Sequence, residues 1–211
     1  SQYGGGPRDD TVPVLRVVAP DGKLKAVLFG YACHPITLNG EKFSADYPGF
    51  AQQYIEEAFP GSVALFMQGC AGELVPNARF QVEYAMGHGR ALAEAVKNAL
   101  SRPQVKISGP IRSAYSDVPL EFESAPDRTS LEAQLKSDNA ALVRKARYLL
   151  DTLDRNGRIS TTLPCPLQTV RFGPELLLVG ISGETVADYA LTIKSEHTGQ
   201  FTWVAGYCNY V

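Results

Sequence analysis

The chain predicts an α/β fold: a single domain with a mixed β-sheet flanked by helices. Three observations carry that expectation. Runs rich in β-branched and aromatic residues alternate with Ala- and Leu-rich runs of helical spacing over 211 residues, the pattern of sheet-and-helix layers. The strand-like runs are unevenly spaced and residues 163–170 alternate like a half-exposed strand, which favours a mixed sheet over a parallel one. With 45% hydrophobic and 20% charged residues, a chain of this length can bury a sizeable core.

Residues 1–10 (SQYGGGPRDD) read as a flexible lead-in, and residues 11–211 as the domain. VPVLRVV (12–18) and LKAVLFGYA (24–32) are β-rich runs joined by Pro20-Asp21-Gly22, a turn signal. Residues 46–59 place Phe50, Tyr54 and Ala58 at spacings of four on one helical face, and Pro60-Gly61 stops the run. The apolar residues 63–67 form a short strand, followed by the turn Gly69-Cys70-Ala71-Gly72. An Ala-rich helix is expected over 80–100, strands over 107–122, and one long helix over 130–154. After the Asn156-Gly157 turn come strands near 159–172 and 175–181, a helix opened by Gly183-Glu184-Thr185, and a last strand at 201–205.

Twenty Lys and Arg against 22 Asp and Glu give a net charge of −2, without the basic footprint that nucleic-acid binding needs. The longest apolar run, residues 26–33, falls far short of the ~20 residues that span a bilayer. The N-terminus lacks the basic and apolar regions of a signal peptide, and its first residue, Ser1, leaves an upstream segment open. Cys33, Cys70, Cys165 and Cys208 form no Cys-x-x-Cys pair, and three of them lie in or beside strand-like stretches where a buried free thiol is expected, which leaves the redox compartment open.

Three segments could carry chemistry. Tyr31-Ala32-Cys33-His34-Pro35 ends an apolar strand in a histidine, either a metal ligand facing a cleft or a structural side chain. Gly69 to Asn77 (GCAGELVPN) is a glycine-containing loop that presents backbone amides or simply turns the chain, with Cys70 as a conceivable nucleophile. Ile181-Ser182-Gly183-Glu184-Thr185 places a carboxylate after a buried strand, where it could serve chemistry or act as a first-turn acid. No pair has helical zinc-motif spacing, so any shared site must be assembled by the fold.

Taken in order, these segments resemble the neutral/alkaline non-lysosomal ceramidase family. His34-Pro35 is similar to its strand-end His-Pro, and Asp46, Gly49, Phe50 and Ala51 to its Ser-Asp-x-x-Gly-Tyr-Ala helix start. Gly72-Glu73-Leu74-Val75-Pro76-Asn77 resembles its Gly-Asp-Val-Ser-Pro-Asn loop, Gly183-Glu184 its Gly-Glu, and Ala205 to Asn209 the approach to its tyrosine segment. The resemblance implies the middle part of a catalytic domain, truncated at both ends. It also implies zinc, held in that family by two His, one Glu and one Tyr, and an amide substrate such as N-acylsphingosine or a related N-acyl or ester compound.

Carried over residue by residue, His34 and Glu184 become the metal-ligand candidates, Gly72 and Asn77 shape the loop, and Glu73 is a candidate general base. The family's His-x-His segment is absent, and its ligand Tyr maps beyond Val211, so Tyr207 and Tyr210 are out of register. Val75 stands at the family's serine position and can neither attack nor donate a proton. That leaves metal-activated water, substitution by Cys70, or a non-catalytic relative. The isolated chain is expected to be inactive. Arg79 could bind a polar head group or sit solvated, and Leu38, Phe43, Leu74 and Phe80 could line an apolar groove or belong to the core. Family analogy implies a secreted or periplasmic parent. The rival expectation is a non-catalytic α/β domain that binds a ligand or partner on the same scaffold. The two differ in one observation: an enzyme brings His34 and Glu184 within about 4–6 Å around one cavity.

Overall fold

The computed structural model describes residues 6–210. The elements run β1 (Val14–Val18), β2 (Leu24–Tyr31), α1 (Asp46–Ala58), β3 (Val63–Gln68), α2 (Val82–Ser101), β4 (Ile111–Glu121), α3 (Arg128–Gln134), α4 (Ala140–Asn156), β5 (Thr162–Phe172), β6 (Leu176–Ile181), α5 (Ala187–Glu196) and β7 (Phe201–Ala205). The α/β class and the mixed pairing are as expected, with strands in two sheets, β1-β2-β3 and β4-β5-β6-β7. In the first, β1 is antiparallel to β2 and β2 parallel to β3. In the second, β5 is antiparallel to β6 and β6 parallel to β7. Each parallel pair is joined by a helix, α1 or α5, so the chain contains two βαβ units.

The chain forms two compact units, Ser1–Ser116 with Pro166–Val211, and Asp117–Cys165. The second is inserted in the sequence of the first. In the larger unit, Val27 and Phe29 of β2 pair with Ala64 and Phe66 of β3 and share a face. That face packs on Ile55 and Ala51 of α1 and on Leu92, Ala93 and Val96 of α2. Burying each large apolar side chain contributes about 1.5–3 kcal/mol. At Gly89 the two helices approach so closely that a Cβ would sit 2.6 Å from the Cβ of Phe50. A Cβ on Gly30 of β2 would sit 2.9 Å from Cζ2 of Trp203 on β7, so this glycine lets the two sheets meet.

In the smaller unit, Asp127 accepts from the Ser130 amide to cap α3, and Asn139 accepts from the amides of Ala141 and Leu142 to cap α4. Gly157 closes α4 in the left-handed region at φ 69°. Leu131 and Ala146 are its fully buried apolar side chains among the described residues, and Arg128 pairs with Asp154.

Several expectations change. The single helix over 130–154 is two, because Ser137, Asp138 and Asn139 supply a turn and a cap that interrupt it. The helix expected from residue 80 begins at Val82, since Phe80 adopts a left-handed φ of 75°. The final helix begins at Ala187, so Glu184 precedes it and the first-turn acid is Asp188. Residues 1–5 of the lead-in lie outside the described residues. Within its remainder Asp9 is buried and anchored: it accepts from Thr11 N, Thr11 Oγ1 and Lys194 Nζ. Phe43 and Phe80 are exposed and Leu74 is buried, so of these only Leu74 belongs to the core. Cys70 is buried as expected, whereas Cys33, Cys165 and Cys208 are half-buried.

Candidate functional site

All the segments singled out above leave the carboxyl ends of parallel strands. His34 follows β2, the 69–77 loop follows β3, Gly183-Glu184 follows β6, and Gly206-Tyr207 follows β7. Crevices outside the carboxyl ends of strands are where open α/β sheets bind ligands.

Backbone contacts lock these loops together. Gly206 N donates to Gln68 O, Tyr207 N to Gly183 O, and Gly72 N to Thr185 O. Gly72 is required there because a Cβ would lie 2.5 Å from the carbonyl oxygen of Glu184. One residue on, Glu73 turns its Oε1 to the amide of Ala187 at 2.8 Å and so caps α5. The other oxygen of Glu73, Oε2, is buried without a hydrogen-bond partner.

His34 is the best-defined side chain of the site. Its amide and its Nδ1 both lie within hydrogen-bond distance of one atom, the carbonyl oxygen of Leu74, at 2.9 and 3.1 Å. A carbonyl can only accept, so Nδ1 carries a hydrogen, and in the neutral form of the ring Nε2 presents a lone pair. That nitrogen lies 3.8 Å from Oε1 of Glu184 and 2.8 Å from the hydroxyl of Tyr207. The histidine is 17% exposed and the glutamate 64%, so the imidazole is held while the carboxylate reaches solvent. Burial, followed by the charge of Glu184, pushes the Tyr207 hydroxyl up to about 12, so the phenol keeps its proton and can donate to Nε2 of the neutral ring.

Leu74, Val75, Pro76 and Asn77 of the loop line a cavity of about 420 Å³ together with Tyr31 and His88, among others, and His34 and Glu184 are not part of its wall. Its size suits a small-molecule site. Val75 is half-buried in its wall and Asn77 is exposed at it. His88 bonds through Nε2 with Ala78 O at 2.9 Å. Arg79 lies over the ring of Phe80, 5.0 Å from its centroid. Cys70 is fully buried, with its thiol pushed up by burial while the Thr185 hydroxyl donates to its Sγ at 3.1 Å. These are the surroundings of a structural thiol rather than a nucleophile.

The structure thus joins His34, Glu184 and Tyr207, ties Gly72 and Glu73 to the backbone around Glu184, and sets Val75 and Asn77 on the cavity wall. Sequence reasoning set Tyr207 aside on register and missed the Leu74 carbonyl and the clamp made by Asp46. That buried residue, at φ 51°, accepts from the Leu38 amide at 2.7 Å and so pins the segment after His34 to α1. The available signal for Tyr207 was its place just beyond a buried strand, which is shared by His34 and Glu184. Among the described residues, no three His, Cys, Asp or Glu side chains group so as to hold a metal ion.

The fold is shared with ceramidases. The crystal structure of neutral ceramidase from Pseudomonas aeruginosa is similar with a TM-score of 0.63 and 21% sequence identity, over 94% of this chain and 40% of that one. A ceramidase complexed with C2 is similar with a TM-score of 0.65 and 18% identity, over 95% of this chain and 41% of that one. The chain therefore spans about 40% of the length of the structures it matches. No family model matches the chain, and no curated protein matches it in sequence. The ceramidase resemblance of the sequence is borne out at the level of the fold.

Proposed function

We propose, from the ceramidase fold and the His34–Glu184 pair, that this is a zinc-dependent hydrolase-like domain. Its substrate class is an amide, N-acylsphingosine or a related N-acyl or ester compound, by likeness to the ceramidases. No helix among the described residues is long and apolar enough to cross a membrane.

The observation that carries this reading is the 3.8 Å separation of His34 Nε2 and Glu184 Oε1. Both are acceptors in the neutral-histidine state, and a cation between them would be bound by both. Zinc bonds of about 2.0–2.2 Å to nitrogen and oxygen span that separation. The second ring nitrogen is committed to a carbonyl, as is usual for ligating histidines. The donor set therefore fits as part of an open site, in which one imidazole and one carboxylate are supplied by this chain. A bound zinc would supply Lewis-acid chemistry. The residues themselves do the rest. Gly72 holds the 69–77 loop against Glu184, Asn77 offers an amide at the cavity, and Glu73 accepts a proton at Oε2, its oxygen without a partner.

The rival reading is a non-catalytic domain that binds its ligand without turnover, and the apolar Val75 in the cavity wall favours it. Calorimetric titration with zinc of the wild type, His34→Ala and Glu184→Ala decides the metal claim. The hydrolase reading expects binding that falls at least about 10-fold in each variant, the scale of a disrupted coordination sphere. Absence of binding, or binding indifferent to both substitutions, would overturn the metal site and favour the rival.

A further inference from the structure

The lone pair of His34 Nε2 is already taken. Nδ1 donates to Leu74 O, so in the neutral ring Nε2 accepts, and the Tyr207 hydroxyl lies 2.8 Å from it. The two rings meet edge to face, with centroids 5.7 Å apart at 79°. Tyr207 is held there at some conformational cost, because its backbone sits in the left-handed region at φ 59°, where a non-glycine residue is disfavoured. Its amide bond to Gly183 O and the Gly206 amide bond to Gln68 O maintain that conformation. Three separate features therefore aim one phenol at one nitrogen: a strained backbone, two interloop hydrogen bonds and a fixed histidine tautomer.

We propose that Tyr207 is a placeholder latch: its hydroxyl occupies the position on His34 Nε2 that a cation takes, and metal binding displaces it. This rests on the zinc reading of the same site. One lone pair serves one partner, so the Tyr207 hydrogen bond and a metal bond at Nε2 exclude each other. The latch keeps the imidazole oriented and its polar atom satisfied while the metal is absent. In exchange it lowers metal affinity by the strength of the hydrogen bond that must be broken. Glu184 has no such competitor, since its carboxylate is largely open to solvent.

Tyr207→Phe removes the hydroxyl and leaves the ring. Zinc titrated calorimetrically into Tyr207→Phe is expected to bind about 5-fold more tightly than into wild type, the size of one neutral hydrogen bond. A second measurement needs no variant to fold: zinc added to wild type should give a near-ultraviolet tyrosine difference spectrum of a phenol losing a hydrogen-bond acceptor. Unchanged or weaker binding by a folded Tyr207→Phe variant, or a tyrosinate band on adding zinc to wild type, would overturn the latch. The latter would make Tyr207 a ligand, while the zinc site itself would stand. Absence of binding in both proteins would overturn the latch together with the metal reading, and His34→Ala, added as a third protein, separates binding at this histidine from binding elsewhere.

Discussion

Gly87 and Gly89 lie two residues apart in α2, and replacing each with alanine should move stability in opposite directions. Helix propensity alone favours alanine at both by about 0.8–1 kcal/mol. At Gly87 a Cβ would meet nothing within 4 Å, so Gly87→Ala should realise that gain. At Gly89 it would lie 2.6 Å from Phe50 Cβ, 2.8 Å from Tyr47 O and 3.0 Å from Ala51 N. Ordinary carbon contacts lie at about 3.5–4.0 Å, so α1 and α2 would have to separate by roughly 0.5–1 Å. None of the three obstructing atoms is the end of a flexible side chain, so the cost falls near the upper part of the ~1–3 kcal/mol range for overpacked cores. Offset by propensity, Gly89→Ala should lose about 2 kcal/mol, and the two variants should differ by about 3 kcal/mol, roughly 100-fold in the folding equilibrium. Urea unfolding followed by the fluorescence of Trp203, the one tryptophan and 4% exposed, reads this out in the unit that holds both glycines. In melting temperature the separation should be about 6–12 °C. Equal stability of the two variants would refute the claim that α1 and α2 are in contact at Gly89.

Two further outcomes follow from the caps and thiols. Asn139→Ala should destabilise α4 by about 1 kcal/mol, measured by urea denaturation with circular dichroism, because two amides lose their acceptor. The Cys33 thiol is pushed up to about 11 from 9.0 by burial. The folded protein therefore holds a proton that the unfolded chain releases, and this contribution is full below pH 9 and lost as pH rises through 11. Comparing urea midpoints at pH 8 and pH 11, Cys33→Ala should lose less stability than wild type, and an equal loss would contradict the assignment.

Much of the fold was legible because hydrophobic period and turn residues are local. VPVLRVV, LKAVLFGYA and the run after Glu175 became strands where expected, and Asp46 to Ala58 a helix. What was not legible depended on backbone conformation or on distant partners. Phe80 at φ 75° delays α2, and Asn139, a side chain rather than a proline or glycine, splits the expected 130–154 helix. At the site, the strand-end positions of His34 and Glu184 could be read from apolar runs. Their 3.8 Å approach could not, because it depends on two βαβ units meeting through Gly30 and Trp203. Glu73 was read for its chemistry, and its hold on the Ala187 amide required knowing where α5 starts.

The atom that orients His34 is a main-chain carbonyl, that of Leu74. A scan that replaces side chains one at a time would leave it in place at every step, including at position 74 itself. Sequence comparison would likewise register there only a preference for a buried apolar residue. The tautomer of the histidine is thus set by something that neither mutation nor drift can easily erase. The loop carrying this carbonyl could change its side chains while the ring it orients kept the same face toward the site.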